Sequence, residues 1–364
     1  MVIASTRDPA VLRDQLTEWF RATLPAGADP EVSEVRAPEG TGMSSETLLF
    51  DVTATLDEDR ATTGYAARLA PAEVDHPVFP SYDLELQYRC LRLVRERSEV
   101  PVPVTPWWEP DDTALGSPFF VMERVDGIVA SDNPPYVFGG WVIDAGPEGR
   151  RKLEDGVIDV LAGLHAIDLS GADTSFLDRP EHGGTPLDQH LNYQRWYYDW
   201  ARGDRDFTQI DRALAWLEAN RPADEETVLN WGDARLGNTM YRDFEPVAVL
   251  DWEMAALGAP EADLAWAVHL HDFFADLAVR FEMDPLADFF QRERVIARYE
   301  EVSGRKVRHY DYYEVFAALR YAIVSIRTGE TSVRTGTLPE PDHHDGLIMN
   351  GPLLEAMLDR LGAP

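Results

Sequence analysis

An aspartate at 233, an asparagine at 238 and a second aspartate at 251 are the side chains in this 364-residue sequence whose types and spacing could do chemistry together. They lie in TVLNWGDARLGNTMYRDFEPVAVLD, where TMYRD and VAVLD read as two short β runs joined by a turn containing Pro246. That hairpin carries the chain back, so that Asp251 can face Asn238. Magnesium takes hard oxygen ligands and usually only one or two carboxylates from protein, leaving phosphates and water to complete its octahedron, and Asn238 and Asp251 meet that need. A phosphoryl acceptor hydroxyl needs a carboxylate to orient it and receive its proton, and Asp233 is placed to be that catalytic base. An Asp and an Asn five apart are, alone, ordinary turn or capping chemistry. Strand, loop, hairpin and second Asp together are much rarer.

The elements that must position these residues follow from periodicity. Residues 8–24 place Val11, Leu12, Leu16, Trp19 and Phe20 at helical spacing behind an Asp8-Pro9 start. Short β-rich runs follow to about residue 125: EVSEVRAP, ETLLFDVTATL and GYAARLAP, then a later pair around PVTPWWEPD and SPFFVMERV. Residues 82–98 between them read as one helix. From about 150 helical patterns dominate, including RKLEDGVIDVLAGLHAI and residues 189–201, and the β-like segment 227–251 interrupts them. The fold class is therefore α+β, with no fixed-period repeat.

Composition bounds the partners. With 45% hydrophobic residues the chain can bury a sizeable core, and no run of eighteen apolar residues occurs. The N-terminus lacks the basic flank and apolar run of a secretory signal, so a cytoplasmic location is expected. Against 33 basic residues stand 65 acidic ones, a net charge of −32, which repels nucleic acid and anionic membranes and favours cationic or neutral small molecules. Most of that charge serves solubility. The single cysteine, Cys90, excludes an internal disulfide and a multi-cysteine zinc site, and its apolar surroundings make it a buried structural thiol.

The segment around Asp233 resembles the catalytic and metal loops of the aminoglycoside phosphotransferase family, relatives of the protein kinases. The family's first loop commonly reads His-Gly-Asp with an Asn shortly after; here it reads Trp231-Gly232-Asp233 and Asn238, so Trp231 stands where an architectural histidine is expected. The family's Asp-Trp-Glu is matched by Asp251-Trp252-Glu253, and GAPEADLAW resembles the next stretch, with Asp263 a helix residue supporting the loops. The resemblance implies a bilobal protein kinase-like fold. Residues 1–125 would form the small β-rich nucleotide-binding lobe with a hinge near 122–126. Residues 126–364 would form a larger, mostly helical lobe holding the loops of 229–253 and the acceptor pocket.

Several nucleotide contacts are implied in the same way, with ATP or GTP as donor and Mg2+ as cofactor. PEGTGMSSET, between the first two strands, would cover the phosphates, with Gly40, Gly42, Ser44 and Ser45 nearby. The third strand should carry a phosphate-binding lysine, and Arg68 occupies that place. Its helix partner is Gln87 by position or Glu85 by charge. In PFFVMERVDG, Met122 takes the position that guards the adenine pocket, and backbone groups of Glu123 to Val125 would meet the adenine edge.

On the acceptor side, QHLNYQRWYYDWA places Trp196, Tyr197 and Trp200 where they could cradle a ring or a cation, with Glu253 nearby; as an aromatic stripe at helical spacing they are equally a core pattern. His165 sits in an apolar helix and reads as a hydrogen-bonded core histidine. The expected activity is transfer of the γ-phosphoryl group to a hydroxyl of a small polar molecule such as an amino sugar, amino alcohol, sugar or macrolide. The departures at Trp231, Arg68 and Gln87 keep a second reading open, a nucleotide-binding pseudokinase with little turnover. A phosphohydrolase ranks last, for want of a second carboxylate cluster.

Overall fold

Asp8 opens the first helix, its carboxylate accepting the Ala10 amide at 2.8 Å with Pro9 in the first turn. The computed structural model describes residues 7–38, 45–70 and 76–363. Helix α1 (Pro9–Thr23) buries Leu12, Leu16, Trp19 and Phe20. They pack on a five-stranded antiparallel sheet of β1 (Glu31–Val32), β2 (Glu46–Leu56), β3 (Asp59–Leu69), β4 (Trp107–Glu109) and β5 (Phe119–Glu123), in the order β1-β2-β3-β5-β4. Strand β2 alternates buried and half-buried residues, as a sheet with one face on α1 requires. Asp57 and Glu58 join β2 to β3 with φ of 49° and 71°, the left-handed pair of a tight two-residue hairpin. The expected strand EVSEVRAP is reduced to Glu31–Val32 and one bridge from Arg36 to Leu49.

The sheet's other face meets α2 (Leu84–Arg97), capped by Asp83, whose carboxylate accepts the Leu86 amide at 2.9 Å. Leu86, Cys90 and Val94 of α2 belong, with Phe120, to the large core of the second lobe. Cys90 is wholly buried, and burial pushes its thiol far up, away from the reactive thiolate.

Beyond β5 the chain forms β6 (Ile128–Val129), then α3 (Trp141–Asp144), α4 (Gly146–His165), α5 (Pro186–Arg202) and α6 (Thr208–Ala219). Two small sheets then shape the site: β7 (Val228–Asn230) with β10 (Ala256–Gly258), and β8 (Thr239–Arg242) between β9 (Glu245–Val249) and β6. Helices α7 (Glu261–Arg280), α8 (Arg292–Ser303), α9 (Tyr310–Arg334) and α10 (Gly351–Arg360) complete the lobe, with α9 packed against α5, α6, α7 and α10. Among the described residues no helix is long and apolar enough to cross a membrane.

The hairpin around 239–251 differs from expectation in one detail. Its turn is Asp243-Phe244, both left-handed at φ 52° and 68°, whereas Pro246 lies within β9 opposite Tyr241, where the register shifts. Strand β9 is at the edge of its sheet, so the missing proline N–H removes no ladder bond on the open side. The proline ring instead packs against α4 at Gly156, where any Cβ would strike it.

Candidate active site

Strand β7 delivers the chain directly into Trp231-Gly232-Asp233, and pairing with β10 fixes where that loop begins: Asn230 lies opposite Ala256. Asp263, in the first turn of α7 and wholly buried, then holds the loop by its backbone. One carboxylate oxygen accepts the Trp231 amide and the other the Gly232 amide, each at 2.8 Å. His165 of α4 adds a 3.2 Å bond from Nε2 to Asp263 while its Nδ1 stands 2.8 Å from the Tyr299 hydroxyl, which makes it a hydrogen-bonded core histidine. Gly232 is required here: its φ is +87°, and a Cβ would overlap the Met254 carbonyl.

Asp233 is only 8% exposed. Its Oδ1 accepts the Trp266 indole N–H at 2.7 Å, and its Oδ2 accepts Asn238 Nδ2 at 2.6 Å and Arg235 Nε at 3.0 Å. Three donors, one of them cationic, fix the carboxylate's orientation. Asn238, 5% exposed, also donates to the Asp233 carbonyl at 3.1 Å. With its amino group spent on Asp233, the end of the amide that can serve a cation is the carbonyl oxygen.

Asp251 follows β9 with φ 59°, a left-handed conformation that is strained for a residue with a side chain. Trp231 supplies the brace. Its buried indole N–H donates to the carbonyls of Leu250 at 2.8 Å and Asp251 at 3.2 Å, and its ring lies 6.1 Å from that of Trp252. The expected weakness of a loop without its histidine is thus met by a larger ring with a donor of its own. Across the cleft, Arg68 of β3 extends one guanidinium nitrogen to Asp251 Oδ1 at 3.2 Å and to Gln87 Oε1 at 3.3 Å. Gln87 is buried in α2, whereas Glu85 is exposed and faces Arg89, so the helix partner of Arg68 is Gln87.

A carbonyl oxygen from Asn238 and a carboxylate from Asp251 are hard donors of the kind magnesium takes. Among the described residues no group of three or more His, Cys, Asp or Glu could enclose a metal unaided. That leaves a two-donor site, which phosphates would have to complete.

The other expected contacts are placed less uniformly. Gly42 and Ser44 lie outside the described residues; Ser45 is buried, with its hydroxyl unpartnered among them. Met122 is half-buried, opposite Ala66 of β3 and against the main core. In the hinge, the Glu123 amide donates to the Val104 carbonyl and the Arg124 amide to the Gly64 carbonyl, both at 2.8 Å. Of the backbone from 123 to 125, the Val125 amide is the donor that no described residue engages.

The acceptor-side aromatics separate. Tyr197 is 2% exposed, and its hydroxyl donates to the Val78 carbonyl at 2.7 Å, so it serves the core rather than a pocket wall. Trp196 and Trp200 are 43% and 37% exposed; Trp196 leans on Tyr193 and His182, and Arg327 lies 4.9 Å from the Trp200 ring. Burial raises the hydroxyls of Tyr82 and Tyr193, and the charge of half-buried Glu253 raises both further.

Four residues around the site carried no expectation. Arg235 pairs with both Asp132 and Asp233; burial opposes its charge, but the two carboxylates outweigh that and raise it above its usual range. Trp266 donates to Asp233. Buried Arg320 of α9 stacks 4.4 Å from the Trp266 ring and donates to the Gly232 carbonyl at 2.8 Å. Only Arg235, two residues after the aspartate, carried a signal in the motif.

Residues 55–303 match the model of the phosphotransferase enzyme family. Among solved structures, the chain is similar to a putative aminoglycoside phosphotransferase from Ralstonia eutropha, with TM-score 0.66, 20% identity and coverage of 94% of this chain and 96% of that one. It is also similar to a thermostable mutant of the aminoglycoside phosphotransferase APH(4)-Ia solved as a ternary complex with AMP-PNP and hygromycin B, with TM-score 0.59, 16% identity and coverage of 96% and 99%. Both likenesses bear on the fold. A mouse relative, acyl-CoA dehydrogenase family member 10, is 27% identical over 58% of this chain, and the match spans 20% of its own length. The chain thus spans about a fifth of the length of such curated relatives.

Proposed function

The chain belongs to the phosphotransferase enzyme family, and we propose that it moves the γ-phosphoryl group of ATP or GTP to a hydroxyl of a small polar molecule. One observation carries this reading. Asp233, Asn238 and Asp251 converge from two loops, opposite Arg68 on the other lobe, each with its orientation set by buried partners.

In this reading Asp233 holds the acceptor hydroxyl and takes its proton as the oxygen attacks phosphorus in line. Asn238 and Asp251 would hold Mg2+, which would supply neutralisation of the phosphate charge. Arg68, held by Gln87, grips the donor phosphates with a planar fork in place of a lysine's point charge. The hinge meets the base through the Glu123 carbonyl and the Val125 amide, and Gly42, Ser44 and Ser45 are further proposed nucleotide contacts. Glu253, Trp196 and Trp200 border the acceptor.

The pseudokinase alternative loses support from the bracing. A binder without turnover has no physical need for three donors on a buried carboxylate that touches no donor phosphate. Asp233→Ala should lower turnover by about 10²- to 10⁴-fold, the usual contribution of a general base, while nucleotide binding by calorimetry persists. Full turnover in that variant would sink the assignment of the base.

A further inference from the structure

Among the described residues, Arg179 has no carboxylate within salt-bridge distance, in a chain with about two acids for every base. Among the described residues, every arginine that is buried or half-buried has a carboxylate within 4.0 Å except two, Arg179 and Arg320. Arg320 is occupied by the Gly232 carbonyl and the Trp266 face. The guanidinium of Arg179 lies 4.4 Å from the centre of the Tyr193 ring, and its backbone is pinned by its amide donating to Gln189 Oε1 at 3.0 Å. Two carboxylates near it in sequence are committed elsewhere: Asp178 accepts Gln189 Nε2, and Asp188 accepts Thr185 and pairs with Arg221.

Its place is the acceptor side of Asp233. Tyr193 and His190 lie on α5, where His190 Nε2 bonds the Leu257 carbonyl in β10 at 3.0 Å, next to the strand that leads into the catalytic loop. After desolvation, the largest influences on half-buried His190 are the charges of Arg320 and Arg179, and together these hold it down to about 4. The same two cations and Glu253 act on Tyr193. Two guanidinium groups, one from α9 and one from the segment before α5, therefore lie close to these α5 residues in a chain of net charge −32. A half-buried cation held on an aromatic face is costly to leave unsatisfied and well shaped for a planar or tetrahedral anion.

We propose that Arg179, seated on Tyr193, grips an anionic group of the acceptor, so that the molecule phosphorylated is a hydroxylated carboxylate or phosphate ester rather than a cationic amino sugar. This rests on the phosphotransferase reading and names its substrate class. No covalent step is added: the acceptor's hydroxyl reacts at Asp233 and its anion sits at Arg179.

The test is a nucleotide-consumption screen with ATP and GTP over matched probes: glycerate and gluconate, glycerol 3-phosphate and glucose 6-phosphate, neutral glycerol and glucose, and cationic ethanolamine and kanamycin, with Asp233→Ala as the blank. Turnover concentrated in either anionic set supports the proposal and separates carboxylate from phosphate ester. In Arg179→Gln the KM for that set should rise about 10- to 100-fold with kcat within about threefold, and Arg179→Lys should recover part of the loss. Thermal unfolding of both variants guards against a folding defect. Best turnover of neutral or cationic probes, or an unmoved KM in a folded Arg179→Gln protein, overturns the proposal while the phosphotransferase reading stands. No turnover of any probe above the blank overturns both.

Discussion

The two walls of the cleft are built by opposite means. On the wall proposed for the donor each site side chain is buried or half-buried and tied to named partners: Asp233 by Trp266, Arg235 and Asn238, and Asp251 by Arg68, with its carbonyl held by Trp231. On the wall proposed for the acceptor, Trp196 and Trp200 stand substantially exposed and touch mainly other rings and one guanidinium. Chemistry common to every turnover demands one geometry, which is paid for in buried hydrogen bonds, while recognition of a particular acceptor can be changed by residues that hold up nothing else.

That contrast predicts a descending series of effects. Gly232→Ala should be the most severe of four substitutions, because the new Cβ meets the Met254 backbone at a φ no alanine favours. A cost on the order of 2–4 kcal/mol in unfolding free energy is expected, with turnover down at least about 100-fold. Denaturant melts and steady-state rates measure both; a near-normal protein would mean that the loop is far softer than its bonds imply. Trp231→Phe keeps most of the ring packing but removes the donor to the Leu250 and Asp251 carbonyls. It should cost about 1–3 kcal/mol by the same melts.

Arg68→Lys is smaller again. It restores the residue expected on that strand and keeps the charge, but loses the guanidinium nitrogens left over once one of them has reached both Gln87 and Asp251. The KM for ATP should rise about 3- to 10-fold, or about 0.7–1.4 kcal/mol. An unchanged KM would show that position 68 asks only for a cation.

The donor wall was also the legible one. Asp233, Asn238 and Asp251 lie within nineteen residues, so a strand-loop-hairpin pattern suffices to bring them together. Most of the element order was readable for the same reason, since hydrophobic periodicity is local. What supports the trio was not, because Trp266, Arg320 and Asp132 arrive from elements remote in sequence and in sequence look like ordinary core or surface residues. Pro246 was misplaced by a rule that equates proline with turns, where an edge strand admitted it and Asp243-Phe244 made the turn. Arg179 gave no signal, since a missing counter-ion is a property of three dimensions only.

The smallest effect should come from the acceptor wall. Trp196 is 43% exposed and packs on Tyr193 and His182 without a hydrogen bond between described groups, so Trp196→Ala should shift unfolding free energy by no more than about 0.5–1 kcal/mol. Nucleotide KM should not move, because the residue stands on α5, away from the hinge, Arg68 and the metal pair. If the ring borders the acceptor, the acceptor KM alone should rise several-fold, since stacking against one aromatic face contributes about 0.5–1.5 kcal/mol. The split between the two KM values is what tests the contrast. A change in nucleotide KM would mean the walls are coupled through Tyr193 and Arg320, and no change in either would return Trp196 to the surface.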